Sequence, residues 1–401
     1  MKSVLSRSRR IAAIVIAVAA SHIMAVADTI PSGFSKMPEW RIGAEVMPSW
    51  VPQTNSYLKG FNPLDKKISR SIAGAMRAEF SFSPDTREGM LYKGLYQGIG
   101  VCVNSYSAGG LLGTPVSAYV YQGAPIVTLG DNLWLGYEWQ FGAAMGWRHY
   151  DALNDATNAA VSTSVTAHMG LALKLHYKLS GRWRMSAGIV ANHYSNGNTS
   201  FPNAGVNSLG AAIGVAYVIN QAEGAVAVSR EIELEADRHR WFYDIMVYGA
   251  TRKRIVNVGN PPELQLCPGS FAVAGLQFAP LYRLDRMVSI GPALDFQWDE
   301  SSGLEHYWVE DTYGEDIRFI RPPFGKQISV GISAHAELTM PIFAVNAGLG
   351  YDVVNPNGNK RFYQSLTLKT FLSRNLFLNI GYRLGDFNEP QNLMLGVGVR
   401  L

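Results

Sequence analysis

The sequence predicts an all-β protein, a transmembrane antiparallel β-barrel of about sixteen strands, and three observations support that prediction. Charged residues make up only 16% of the chain, against roughly 25% in ordinary soluble domains. Beyond the N-terminus, no stretch reaches the 18 or so consecutive apolar residues that indicate a membrane-spanning helix. Long segments instead alternate apolar and polar residues with period two, as strands do. Because only helices and closed barrels satisfy every backbone polar group in lipid, a barrel fits all three observations.

Residues 1–27 have the pattern of a secretory signal peptide. Four basic residues precede the apolar run 11–20, and the small-residue sequence Ala25-Val26-Ala27 follows it. Ten apolar residues are about half of what a spanning helix needs. We therefore expect this segment to direct export and to be removed.

The charge balance and the cysteines exclude several classes of partner. Removing the four basic residues of the signal leaves 31 of 35 basic residues, which equals the 31 acidic ones. Nucleic-acid binding requires a basic footprint, so we expect no nucleic-acid partner. Cys102 and Cys267 are interpreted as unpaired small residues, and no Cys/His spacing typical of a metal site occurs. No nucleotide-binding or phosphate-loop motif occurs either, so no metal or cofactor is expected.

Period-two alternation is clearest in the segment 161–179, where odd positions are apolar and even positions are mostly polar. Strands in soluble sandwiches usually span five or six residues, so this length favours a membrane barrel with apolar residues outside. Tight turns, such as Gly130-Asp131 and Ser180-Gly181, alternate with long polar loops. The sixteen predicted strands span approximately residues 41–52, 69–83, 95–106, 115–129, 132–147, 161–179, 182–196, 207–220, 240–255, 270–283, 287–298, 326–338, 341–353, 361–372, 375–383 and 392–401.

A charged stretch, 229–240, interrupts this series after the eighth strand and is predicted to be periplasmic, either as a short amphipathic helix or as a linker. It divides the chain into an eight-strand segment, 28–220, a charged linker, 221–240, and a second eight-strand segment, 241–401. The preferred prediction is one barrel of about sixteen strands. The alternative is an eight-stranded barrel followed by a second barrel.

Polar residues on an apolar strand face are the strongest functional signal. In the seventh strand the apolar, lipid-side positions end in His193 and Ser195, whose i, i+2 spacing places both side chains on one face. That spacing suits a base that takes a hydroxyl proton. Asn207 has the same outward parity on the eighth strand, at a similar height, where it could hold the imidazole in the useful tautomer.

The stretch His193-Tyr194-Ser195-Asn196-Gly197, followed by Pro202-Asn203-Ala204-Gly205, resembles the lipid A 3-O-deacylases of Gram-negative outer membranes. Their signature runs H-x-S-N and then P-N-x-G, and they are eight-stranded barrels with a Ser-His-Glu triad facing the lipid. The resemblance covers about residues 41–220; longer barrels described as acyloxyacyl hydrolase-like are also similar. It implies that Ser195 is the nucleophile and His193 the base. Asn203 or Asn196, with nearby backbone amides, would be the oxyanion donors.

The chain departs from the family where the triad Glu would stand, because it has Asn207 there. An amide oxygen can orient the imidazole but offers no charge to stabilise imidazolium. From the resemblance, the first hypothesis is an outer-membrane esterase of a Gram-negative bacterium that acts on lipid A, or lipopolysaccharide, without a cofactor. The second is a non-catalytic barrel, either porin-like or structural. The sequence does not define the oligomeric state.

Overall fold

The computed structural model describes residues 38–82, 87–220, 240–259, 263–285, 287–310, 317–357, 361–387 and 389–401. The predicted signal peptide, 1–27, and all of the predicted linker except Arg240 lie outside these described residues. The chain divides into two compact units, which are described in turn.

The first unit contains a closed barrel of eight antiparallel strands in sequential order. Closure comes from pairing of the first strand with the eighth, from Arg41 opposite Val218 to Trp50 opposite Leu209. Two short helices lie in its connections, α1 (Ser56–Lys59) and α2 (Arg87–Tyr92). The strands are β1 (Glu39–Trp50), β2 (Arg70–Ser81), β3 (Tyr96–Tyr106), β4 (Gly113–Gly130), β5 (Leu133–Trp147), β6 (Val165–Lys178), β7 (Trp183–Ser195) and β8 (Val206–Val218).

The second unit contains another closed eight-stranded barrel, which closes where Leu395 to Arg400 pair with Gly249 to Asp244. Its loops carry two small hairpins, β10 (Ile255–Val258) with β11 (Glu263–Leu266) and β14 (Trp308–Glu310) with β15 (Ile317–Phe319). Two 3-10 turns, Leu304–His306 and Phe324–Lys326, lie in the same loops. The barrel strands are β9 (Trp241–Arg252), β12 (Phe271–Arg283), β13 (Val288–Asp299), β16 (Ile328–Thr339), β17 (Phe343–Val354), β18 (Phe362–Phe371), β19 (Leu376–Gly385) and β20 (Glu389–Arg400).

The preferred prediction of one sixteen-stranded barrel is therefore wrong, and the alternative of two barrels is confirmed. The physical reason lies in the inward side chains. An eight-stranded ring is just wide enough for side chains to fill, whereas a sixteen-stranded ring leaves an aqueous channel. Tyr96, Tyr119 and Tyr121 face inward in the first unit and are almost fully buried, which suits only the smaller ring.

Charged side chains neutralise one another inside each barrel. In the first, the Lys174 ammonium lies 2.7 Å from Glu45 and 3.0 Å from Glu138, and Arg77 contacts both carboxylates. In the second, the Lys369 ammonium lies 2.7 Å from Asp244 and 2.6 Å from Glu337. Buried charges persist only when they are paired in this way. Arg77 and Glu138 therefore lie on the inward faces of their strands.

In each barrel, most of the long connections lie at one end, which is called here the long-loop end. In the first barrel, the loops 51–69, 107–112 and 148–164 meet there in an apolar cluster. The Tyr57 hydroxyl donates to the Leu111 carbonyl and to Asp155, each at 3.0 Å. Burial, and then the hydrogen bond to Asp155, raise the pKa of Tyr57 above its usual range. The members of the cluster include Tyr57, Leu58, Leu112, Trp147, Val161, Tyr194 and Val206.

Both cysteines are free, as predicted, and both are buried; Cys102 lies in β3 and Cys267 in a loop. Burial raises the pKa of Cys267 to about 11, so this thiol stays protonated at neutral pH. Among the residues that the structure describes, no helix is long and apolar enough to cross a membrane.

Candidate active site

Strand β7 places its last outward side chains at the long-loop end of the first barrel. Side-chain burial alternates along it, with Val190, Asn192 and Tyr194 buried inside and Ala191 exposed outside. His193 and Ser195 share the outward parity of Ala191 and are half-buried. The predicted orientation of the pair, away from the lumen, therefore agrees with the structure.

The inward residue between them fixes the strand end. Tyr194 is 1% exposed and stacks on His168 with ring centroids 4.8 Å apart. Trp147 packs edge-on against the Tyr194 ring, and the indole N–H of Trp147 donates to Thr166 at 2.9 Å. Packed inward residues hold an outward site more precisely than a free loop would.

Asn207 lies directly opposite His193 across the β7–β8 pair. Its Oδ1 is 2.7 Å from the Nδ1 of His193. An amide oxygen only accepts, so this hydrogen bond requires the proton on Nδ1 and leaves Nε2 as an acceptor. The expected neighbour relation between His193 and Asn207 is present, and it selects the tautomer that a general base needs.

Gly205 marks the point where the histidine and the serine converge. A Cβ atom on Gly205 would lie 3.1 Å from Cε1 of His193 and 3.7 Å from Cβ of Ser195. The glycine has a φ of +72°, a conformation that other L-residues rarely adopt. A side chain there would crowd the imidazole edge, so glycine keeps the space between the two groups open.

In the described part of the chain, the Ser195 hydroxyl does not hydrogen-bond to His193, although both lie on one face. Hydrogen bonds of this kind are often loose without substrate and tighten in the complex. The arrangement thus contains a hydroxyl, an imidazole in the basic tautomer and an orienting amide, which are the groups of a nucleophilic hydrolase.

The loop 196–205 is held by its own side chains and by neighbouring loops. The backbone N–H of Asn196 donates to Oδ1 of Asn203 at 3.1 Å, and the Asn196 amide donates to Ser162 at 2.9 Å. The N–H groups of Ala204 and Gly205 donate to carbonyls of residues 159 and 160. The structure thus places both predicted oxyanion residues in this loop, where these bonds fix its shape.

Asn55 and Ser162 support the site, and sequence reasoning did not identify them. The Asn55 amide donates to the Gly205 carbonyl at 3.3 Å, while its Oδ1 caps α1 by accepting from Leu58 N–H at 3.0 Å. An asparagine before a short helical segment is a recognisable capping signal. Its second contact, 150 residues away, has no signal in the sequence.

Comparison with known proteins gave two family matches. The family described as lipid A 3-O-deacylase (PagL) matches residues 122–216, a range that includes His193, Ser195 and Asn207. The family described as acyloxyacyl hydrolase, C-terminal domain, matches residues 241–401. No curated protein sequence matches the chain.

The solved structures that match the chain include the following three, all with low TM-scores. The siderophore receptor PirA from Acinetobacter baumannii is 8% identical, with 87% of this chain and 68% of that one covered and a TM-score of 0.23. The FrpB iron transporter from Neisseria meningitidis is 9% identical, with 92% and 74% covered and a TM-score of 0.20. A mutant porin of Rh. blastica is 7% identical, with 91% and 100% covered and a TM-score of 0.17.

Proposed function

Because this chain belongs to the outer-membrane β-barrel family of lipid A 3-O-deacylases and acyloxyacyl hydrolases, we propose that it is an esterase releasing a fatty acyl chain from lipid A. The observation that carries the proposal is the 2.7 Å hydrogen bond between His193 and Asn207, two residues from Ser195 on the outward face. A purely structural barrel has no need of an oriented imidazole at that place.

In the proposed reaction, Nε2 of His193 takes the Ser195 proton as Oγ attacks the ester carbonyl carbon. The carbonyl π electrons move to oxygen, and the tetrahedral intermediate collapses by breaking the bond to the sugar oxygen. Protonated His193 gives its proton to that leaving oxygen, so that an acyl-serine remains. Water then attacks the acyl-serine by the same steps, and fatty acid and free Ser195 result. No cofactor takes part.

Asn203 and Asn196 are the proposed source of oxyanion stabilisation. Oδ1 of Asn203 is bound by the Asn196 N–H, which orients the rest of the Asn203 amide within the loop beside Ser195. Removing one such donor typically lowers kcat by about 10²–10³. In this proposal Asn203 supplies the donor, while Asn196, anchored to Ser162, holds the loop.

The outer surface below the site suits an acyl chain. Ala191 is the outward residue of β7 next to His193, two positions earlier in the chain. It lies between Leu171 of β6 and Leu209 of β8. Both leucines are exposed, so the small alanine leaves a shallow groove between two ridges. A fatty acyl chain whose carbonyl lies at Ser195 would extend along this groove, among the other chains of the membrane.

Filling the groove is expected to impair long-chain substrates selectively. We expect Ala191→Trp to reduce cleavage of esters with long acyl chains about tenfold or more, because a buried chain loses roughly 0.8 kcal/mol for each methylene displaced, and to spare short-chain esters. p-Nitrophenyl esters of increasing length would measure this. Ala187→Trp is the matched control, because it lies on the same face, four residues further from Ser195. An unchanged chain-length profile in Ala191→Trp would refute the groove.

Asn207 favours a second candidate function, a barrel without catalysis, because it replaces the carboxylate of the family triad. Within that class a porin is disfavoured by the filled lumens. Tyr121, Glu138 and Lys174 are fully buried in the first barrel, and Lys369 and Phe377 in the second.

We therefore expect the purified protein to produce no stepwise conductance in planar bilayers. An eight-stranded ring filled by side chains leaves no path for hydrated ions. A sixteen-stranded porin inserted in the same bilayer is the positive control. Stable, ohmic channel openings would contradict this expectation and favour the pore.

The proposal is tested by incubating the purified full-length protein with lipopolysaccharide in detergent and analysing the lipid A by mass spectrometry. The expected product is lipid A that has lost one acyl chain, with the matching free fatty acid in the extract. Lipid A of unchanged mass after prolonged incubation would favour the non-catalytic barrel.

A further inference from the structure

The second barrel contains a cavity of about 270 Å³ at its long-loop end. The name vestibule is used here for this cavity, whose walls include Arg252, Gln297, Asp299, Gln327, Asp352 and Arg383. These residues come from the ends of four strands, β9, β13, β17 and β19, and from the turn before β16, so several sides of the ring contribute to the cavity. All of them belong to the second unit.

The walls of the vestibule are prebuilt. Arg252 donates to Ser301 at 3.0 Å and to the Gln391 carbonyl at 2.7 Å, and it also contacts the Asp299 carboxylate. Arg383 donates to Asp352 at 2.8 Å. The two arginines and the two aspartates are each more than nine-tenths buried. Groups held this rigidly lose little freedom when a ligand binds.

The vestibule is a blind cavity rather than the entrance to a channel. Below it the Tyr363 hydroxyl donates to Asp295 at 2.6 Å, and the Arg383 guanidinium lies 3.6 Å from the centroid of the Tyr363 ring. Tyr248 donates to Gln297 at 3.1 Å. Because these side chains fill the cross-section, the cavity can hold a ligand but cannot pass one through the barrel.

Its charges define the class of ligand. Three arginines line it, and each already contacts a carboxylate, since Arg254 lies 3.4 Å from Glu305. With Glu389, the lining carries four carboxylates. A phosphate is therefore disfavoured, because each cation of the lining is already paired with a carboxylate. An apolar molecule is disfavoured because the walls are polar.

We propose that the vestibule binds a neutral sugar residue. Vicinal hydroxyls can donate to carboxylates and accept from guanidinium and amide N–H groups at once. The volume lies just below the range of about 300–1,000 Å³ typical of drug-sized ligands, which suits a single sugar ring. This inference does not depend on the esterase activity or on His193 and Ser195.

Saturation-transfer NMR on the full-length protein tests the proposal. The probes are the methyl α-glycosides of glucose, galactose and mannose, and the detergent is lauryldimethylamine oxide, which has no sugar headgroup. We expect at least one glycoside to bind. Ser329→Trp, which fills the cavity from its wall, should weaken that binding about tenfold or more. Ile332→Trp is the matched control, because it lies on the same strand but points outward and is exposed.

A second variant, at the rim of the vestibule, keeps the test decisive if Ser329→Trp fails to fold. Arg254→Gln lies outside the barrel strands and removes a guanidinium whose buried Nε has no hydrogen-bond partner in the described residues. We expect it to weaken glycoside binding about fivefold. Absence of saturation transfer from all three glycosides, or transfer unaffected by both vestibule variants, would overturn the proposal. Binding of inorganic phosphate or Ca²⁺ in place of the glycosides would overturn it too.

Discussion

Replacing Ser195 with alanine is expected to reduce acyl release to background, a loss on the order of 10⁶ in kcat, as when other serine hydrolases lose their nucleophile. The hydroxyl is the atom that carries the acyl group in the proposed reaction, and no other residue of the site can substitute for it. Fatty acid released from lipopolysaccharide in detergent, quantified by mass spectrometry, measures the effect.

The matched control for Ser195→Ala is Ser186→Ala, a change on the lumen face of the same strand, which should retain wild-type activity. Both proteins should show the same heat-dependent migration in gels that marks a folded barrel. Equal acyl release by wild type and Ser195→Ala would remove the basis for assigning the nucleophile.

Substitution of Asn207 is expected to have the second-largest effect on kcat, which should fall in one variant and rise in another. Asn207→Leu should lower kcat by about 10⁴, because the imidazole then loses the acceptor that fixes its tautomer. Asn207→Glu should raise kcat about fivefold, because a hydrogen bond to a charged acceptor is stronger than one to a neutral amide by roughly 1 kcal/mol. The native Asn207 already orients the ring through the 2.7 Å bond, so a glutamate adds only the charge.

Initial rates over a range of pH would measure the Asn207 series. Val215→Ala, on the same outward face of β8 but away from the groove residues, is the control for nonspecific perturbation of the strand. Wild-type rates in Asn207→Leu would mean that this residue does not position the base.

The strands could be predicted because the alternation of apolar and polar residues is visible in the sequence itself. The predicted strand 207–220 and the observed Val206–Val218 agree closely, as do 182–196 and Trp183–Ser195. Closure could not be predicted in the same way. An inward and an outward face alternate identically in a ring of eight and in a ring of sixteen, and the pairing of β1 with β8 joins residues about 160 to 180 positions apart.

The candidate site, too, could be predicted from the sequence only in part. The outward parity of His193, Ser195 and Asn207 follows from local periodicity and could be predicted. The supporting contacts come from loops distant in sequence, such as Ser162 to Asn196 and Asn55 to Gly205. Such contacts depend on how loops fold over the barrel end, and single-residue patterns do not encode that.

The filled interiors of the two rings restrict how a lipid can reach Ser195. With Glu138 and Lys174 fully buried in one ring and Lys369 in the other, the described side chains leave no route through either ring. In the proposed reaction a lipid therefore reaches Ser195 sideways, within a single leaflet. For the proposed esterase, turnover is then governed by two-dimensional diffusion and by the mole fraction of substrate among its lipid neighbours. Dilution with inert lipid lowers that fraction even when the total amount of substrate stays the same.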